Sequence, residues 1–426
     1  MKKIKKHTGL IAALCVFLAL TITVAGAACI YSRFGGFGTG ECADTTEFSK
    51  YAVDVSKMSI PEETQILALG EATHGNKEFQ KLRLDVFKVA VEKYGVRAFA
   101  LEGDFGGCEK VNRYINGGDG TAKEALSAIG FAIYRTDEME SLVEWMRDYN
   151  NTAENGEKLR FYGFDMEQYA YNYCYFLEAL KNENADVSEL EKIWDSEKNA
   201  YKDAYTSEQC AEVIEAAKKQ LSPENEKGIH FADVLLQNIE LGKHMKDVGD
   251  MNAVRDSIMA ENALWILKQE QSRGNSRIMI SGHNNHIMKC ENGGTSVLGS
   301  LLFEKLGGGY YAVGTDFYKS VCNLPKMYTG KRVVHTFYSY DPLAKASKKC
   351  GFEESFLDFS KVPESSSLNK YIVNNINMGS LGESYSILMS FLPRSYRVVR
   401  MPQKTYDAMI FVGNATPIEI NKQSAQ

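Results

Sequence analysis

Apolar residues along the chain follow two rhythms. Short, nearly unbroken apolar runs closed by glycine and polar residues recur as TQILALG (64–70), VRAFALEGD (96–104), LRFYGFD (159–165), RIMISGHNNH (277–286), YYAVGTD (310–316) and AMIFVG (408–413). Runs of this length, bounded by turn signals, predict strands buried on both faces of a parallel sheet. Between them the apolar spacing becomes helical. In EFQKLRLDVFKVAVEKYG, residues Phe79, Leu82, Val86, Phe87, Val89, Ala90 and Val91 recur at that spacing, and Gly95 stops the helix. In TDEMESLVEWMRDYN, Thr136 stands as N-cap, and Met139, Leu142, Val143, Met146 and Tyr149 share a face. The alternation predicts an α/β fold with a mostly parallel central sheet flanked by helices. It stops after Glu167. The lysine- and glutamate-rich stretch that follows carries helical faces in FADVLLQNIELGKHM and DSIMAENALWILKQ. It predicts a helical insertion, about residues 168–271, over the C-terminal edge of the strands.

Polar residues cluster where the strands are predicted to end. LALGEATHGNKEF (67–79) sets Glu71 and His74 three residues apart after an apolar run, more than a turn requires. Glu102 and Asp104, then Asp165, then His283 and His286 stand at three other strand ends. In a parallel sheet these ends open on one crevice, where a site forms. Gly70 and Gly75 are expected to let the backbone turn there. A neutral imidazole takes a proton from water near pH 7, and a carboxylate on its other nitrogen fixes the tautomer. Either Glu71 or Glu102 can do that for His74. Arg83 follows His74 by about two and a half helical turns and can reach back to a carboxylate or to an oxyanion. His283 or His286 can protonate a leaving alkoxide. Asp104 and Asp165 equally suit helix N-caps. His230, His244 and His335 lie away from strand ends and read as structural or exposed. No G-x-S-x-G elbow and no phosphate-binding P-loop occurs. Two other readings use the same residues: a divalent-metal hydrolase with His and Glu ligands, and a non-catalytic binding protein.

The N-terminus changes the picture of location. Four lysines precede a charge-free apolar run over residues 9–30, which predicts a signal peptide or membrane anchor in residues 1–30 and an exported body. Residues 31–44 read as a flexible glycine-rich linker, 45–418 as the body and 419–426 as a tail. The net charge of −6 argues against a nucleic-acid partner. Nine cysteines without a CxxC pair predict neither a zinc ribbon nor a disulfide framework, leaving room for one incidental disulfide.

GEATHG, EGDFGG, YRTDEMESLVEWMRDYN, FYGFDM, VRDSIMAEN, SGHNNHI and YDAMIFVGNATPI occur in the order and rough spacing of the erythromycin esterase family, which the chain resembles from about residue 45 to 418. The resemblance implies hydrolysis of a macrolide lactone or other carboxylic ester without a bound metal or cofactor, and a role in macrolide resistance. It implies His74 as the base that activates water, Glu71 and Glu102 as its carboxylates, and Arg83, His283 and His286 as further catalytic groups. Asp104, Arg135, Asp165 and Arg255 are expected to bind substrate. Two positions depart from the pattern: Tyr134 where tryptophan is expected, and Glu167 where many relatives carry glutamine.

Overall fold

The computed structural model describes residues 2–33 and 39–421. Part of the expected linker (34–38) and most of the expected tail (422–426) lie outside the described residues. The central sheet has eight strands: β1 (Ile66–Glu71), β2 (Ala98–Asp104), β3 (Arg160–Asp165), β4 (Ile278–His283), β5 (Tyr310–Pro325), β6 (Arg332–Tyr338), β7 (Glu354–Asp358) and β8 (Ala408–Ala415). Their order is β3-β2-β4-β1-β5-β8-β7, with β6 paired to β5. Strands β3 through β8 along this path are parallel; β7 and β6 run antiparallel at the far side. Those two were not anticipated. RVVHTFY in β6 faces solvent in part and alternates, so it lacks the continuous apolar run of a central strand.

Alternation along each strand feeds two cores. Ile66 and Ala68 of β1 point into one, Leu67 and Leu69 into the other. On the second face lie helices α2 (Lys77–Tyr94) and α4 (Asp137–Thr152). Thr136 caps α4 by accepting from Met139 N, and Gly95 ends α2 in a left-handed conformation at φ 66°. Helix α3 (Phe105–Ile115) follows β2 directly.

The region after β3 is helical, as expected: α5 (Ala170–Asn182), α6 (Ser207–Lys218), α7 (Glu226–Lys243) and α8 (Val248–Ser272), with a minor helix and a two-residue hairpin between. Its placement differs from expectation. Phe176, Ile214, Leu235 and Ile266 pack into the first core, so the insertion covers one sheet face; only the start of α8 overhangs the strand ends. Burying apolar helix faces against the sheet is worth about 1.5–3 kcal/mol per large side chain, which an overhang in water would forgo.

Helix α1 (Lys2–Arg33) spans the N-terminal apolar run and leaves Leu14, Val16, Phe17, Leu18, Leu20, Ile22 and Val24 exposed. Among the described residues no helix is long and apolar enough to cross a membrane. Free thiols are found among the same residues, for example buried Cys108, Cys210 and Cys322.

Candidate active site

Strands β2, β4 and β1 are neighbours, and Glu71 lies opposite His283 in register, so three of the predicted strand ends meet. Glu71 is buried and accepts from His74 Nδ1. That leaves Nε2 as the ring nitrogen facing the cavity that His74 lines. Arg83 reaches back from α2 as expected, with Nη2 2.9 Å from Glu71 Oε2. The approach is an ion pair by distance without the alignment of a hydrogen bond. Arg83 Nε also donates to Ser281 Oγ at 3.1 Å, Nη1 to Gln80, and the guanidinium lies 5.3 Å over the Tyr134 ring. Arg83 is fully buried behind Glu71 and does not line the cavity. Burial pushes the Glu71 carboxyl up, but Arg83 and His74 pull it below its usual range. Burial pushes His74 down; Glu71, with Glu102 and Glu383, more than offsets this and raises it.

A second array surrounds Glu102. One carboxylate oxygen accepts from His283 N at 2.6 Å; the other lies 3.3 Å from Arg255 Nη2 and 3.5 Å from His286 Nε2. Burial alone would raise Glu102, yet His286, Arg255 and His74 hold it well below the carboxylate range. Arg255 is clamped by Asp165 through Nε at 3.3 Å and Nη2 at 2.5 Å. Its Nη2 is also 3.5 Å from Glu167, whose carboxyl burial pushes up to about 7. His286 Nδ1 lies 2.7 Å from Asp256 Oδ1. Burial would lower His286, but Glu102 and Asp256 raise it to about 9, so it carries a proton at neutral pH.

His283 is different. Its Nε2 donates to Leu381 O at 3.1 Å and its Nδ1 accepts from Asn285 N at 3.2 Å. Both nitrogens are engaged in the neutral form, and burial with His74 nearby lowers it to about 4. The Nε2 proton of His283 is engaged by the Leu381 carbonyl, whereas His286 faces two carboxylates. The Leu381 backbone also donates to Ala72 O at 2.8 Å, which strings residues 381–383 above His74.

The cavity at these strand ends measures about 580 Å³. His74, Arg255, His283 and His286 line it, joined by Glu167, Asp256 and Glu383. Glu71 and Glu102 stand behind the histidines they hold. Three residues expected to bind substrate do not reach it. Asp104 caps α3 by accepting from Gly107 N at 2.7 Å and from Asn172 Nδ2 at 2.9 Å; it is fully buried, which pushes its carboxyl up to about 8. Asp165 is consumed by Arg255. Arg135 follows a short 3-10 turn, its carbonyl accepts from Asn421 N at 2.7 Å, and it lies off the cavity. Nor do Gly70 and Gly75 take a left-handed φ; what they supply is space. A Cβ on Gly75 would lie 3.0 Å from Asn323 O. Asp256 and Glu383 were missed. Asp256 adjoins Arg255 on α8, and helical position alone does not separate it from a solvated acid. Glu383 sits in an irregular, glycine-flanked segment that carries no periodic signal.

Among the described residues no group of three or more His, Cys, Asp or Glu is arranged to hold a metal ion. The donor atoms of Glu71, Glu102 and His283 are instead taken up by Arg83, Arg255 and backbone groups.

Fold and site together define an α/β protein with histidines and carboxylates gathered at the ends of its parallel strands. The chain belongs to the erythromycin esterase family, whose profile matches residues 91–415, and this makes it an esterase-class hydrolase. The matched span begins beyond β1, so Glu71, His74 and Arg83 rest on the geometry above. A curated relative, erythromycin esterase type II of Escherichia coli, is 28% identical and is covered over 82% of its length by 71% of this chain. Among solved structures, a succinoglycan biosynthesis protein superposes with a TM-score of 0.74 at 20% identity, over 88% of this chain and 98% of that one. A mutant of erythromycin esterase EreC in its open conformation superposes at 0.56 and 18% identity, over 83% and 91%. At such identities these structures speak to the fold.

Proposed function

We propose that the protein opens a lactone or other carboxylic ester by direct attack of water, with His74 as the base. The observation that carries this is the pairing of two arrays across one cavity: His74 held by buried Glu71, and His286 between Glu102 and Asp256. A water at His74 Nε2 loses a proton to the imidazole as its oxygen bonds to the carbonyl carbon. Glu71 stabilises the imidazolium, and Arg83 keeps Glu71 ionised. The oxyanion faces the cavity cations, Arg255 and His286. Collapse breaks the C–O bond, and His286 passes its proton to the alkoxide. The macrolide lactone is the substrate proposed first, on the name of the E. coli relative, with macrolide resistance as its consequence.

The test is mass spectrometry of the body, from about Thr45, with macrolides and aryl esters, with and without chelator, beside His74→Ala. Gain of one water by wild type alone, unaffected by chelator, supports the reading. Loss of activity with chelator moves it to a metallohydrolase. Ligand bound and recovered unchanged leaves a binding protein. Export is proposed as well, supported by the lysines and the exposed apolar side chains of α1. Fractionation of cells reads a cleaved leader as soluble exported protein and a retained one as membrane-bound protein; cytoplasmic recovery would refute export.

A further inference from the structure

We propose that Asn284 is a positioning residue that locks the His74-bearing turn to the His286-bearing turn, with Gly70 as its obligatory counterpart. Its kinetic arm rests on the hydrolase reading; its geometry does not. Strands β1 and β5 pair only from Ile66 to Leu69, opposite Tyr310 to Val313, and separate at Gly70. Beyond that point the Thr315 backbone of β5 is satisfied by a side chain. Asn284 Nδ2 donates to Thr315 O at 2.7 Å, and Asn284 Oδ1 accepts from Thr315 N at 3.1 Å. A carboxamide offers one donor group and one acceptor, as a peptide unit does, so it takes the place of the missing strand partner.

To reach Thr315 from the end of β4, the amide must cross β1, which lies between β4 and β5. It crosses at Gly70, where a Cβ would come 2.1 Å from Asn284 Oδ1 and 3.2 Å from Ile287 Cγ1. No side chain fits there while the amide stays. Gly70 directly precedes Glu71. Asn284 directly follows His283 and opens the short helix Asn284–Ile287 that carries His286. One buried contact therefore sets the spacing between base and acid. Tyr310 Oη to Ile287 O at 2.6 Å, Tyr406 Oη to Asn284 O at 3.2 Å and Arg400 Nη2 to Asn285 Oδ1 at 3.0 Å tie this turn elsewhere, and the β1–β4 ladder ends at Glu71 opposite His283, so past that point the amide is what spans β1.

His286 reports on the contact because its titration answers to the groups packed against it. These are Asp256 and Arg255 on α8, Glu102 at the end of β2, and His283, whose ring centroid is 6.5 Å away.

The experiment compares Asn284→Ala, Gly70→Ala and their double variant with wild type. The readouts are kcat and KM on an aryl ester, thermal melting, and the His286 imidazole titration by NMR. In wild type that titration is expected near 9. Asn284→Ala is expected to lower kcat about tenfold or more with KM within about threefold, and to move the His286 titration down by at least about half a pH unit. Gly70→Ala is expected to do the same more severely, and the double variant to recover to the level of Asn284→Ala, because the clash is with the amide it removes. A fall in melting temperature with kcat/KM and His286 titration unchanged would overturn the proposal, as would additive losses in the double variant. Should Asn284→Ala fail to fold, Asn284→Ser, too short to satisfy both Thr315 groups, is read in the same assays. Should wild type hydrolyse no ester, the hydrolase reading fails, and the NMR titration with the double-variant melts still decides this one.

Discussion

Replacing Arg83 with methionine removes the cation beside Glu71 while nearly keeping its volume. Arg83 is fully buried, 2.9 Å from a carboxylate that is itself buried. Breaking a buried ion pair from one side costs about 3–5 kcal/mol, because the remaining charge stays desolvated. The lost bonds to Ser281 and Gln80 fall within that range. In a body of this size roughly 1.3 °C accompanies each kcal/mol, so melting should fall by about 4–6 °C. The proton balance changes too. Glu71 and His74 share a proton that Arg83 repels; without Arg83 the pair binds it more tightly. The acid limb of the activity profile should therefore move to higher pH. If it moves by about one pH unit, the free base at a given acidic pH falls about tenfold. Differential scanning fluorimetry and a pH–kcat/KM series measure the two effects. A variant melting within about 2 °C of wild type would refute the buried pair. A large loss of kcat with an unmoved acid limb would refute the assignment of Arg83 to Glu71 and return it to the oxyanion.

In wild type, activity should decline as pH passes about 9, where His286 loses its proton, and His286→Asn should remove that limb along with most of kcat. The same group links stability to pH. Its folded pKa lies above the ordinary 6.5, so its contribution is complete below about 6.5 and lost as pH rises through about 9; melting of His286→Asn should be flatter across that window. Glu167→Gln should remove an inflection near pH 7 from the KM profile of a charged substrate and leave a neutral aryl ester within about threefold. Tyr134→Phe, which loses the bond from its hydroxyl to Glu102 O at 2.7 Å, should cost about 1 kcal/mol in melting experiments.

The parallel sheet was legible because each central strand is apolar on both faces and ends in glycine or acid. So was the convergence of Glu71, Glu102, His283 and His286, since neighbouring parallel strands end on one side. What composition and spacing could not separate were the acids. Asp104, Asp165, Glu102 and Asp256 are all buried, and only long-range contact distinguishes a helix cap, a clamp on Arg255, an anchor of the site and a partner of His286. Glycine misled in the same way. Gly70 reads as a turn residue from its neighbours, but it answers to Asn284, over two hundred residues later in the chain.

The histidines of one cavity are pushed in opposite directions, and the fold does this with few charges. His283 is enclosed by a carbonyl and an amide that accept and donate to its neutral form, so burial wins and its pKa falls to about 4. His286 is partly exposed, two carboxylates face it, and the charged form wins, at about 9. His74 is also raised, because Glu71, with Glu102 and Glu383, more than offsets burial. A base must be free of its proton and an acid must carry one at the same pH, which identical side chains in identical surroundings cannot satisfy. The difference traces to what faces each ring: a carbonyl and an amide at His283, carboxylates at His74 and His286. Taking Arg83's charge off Glu71 removes a cation that opposes proton binding there, so His74 is pushed further up and keeps its proton to higher pH.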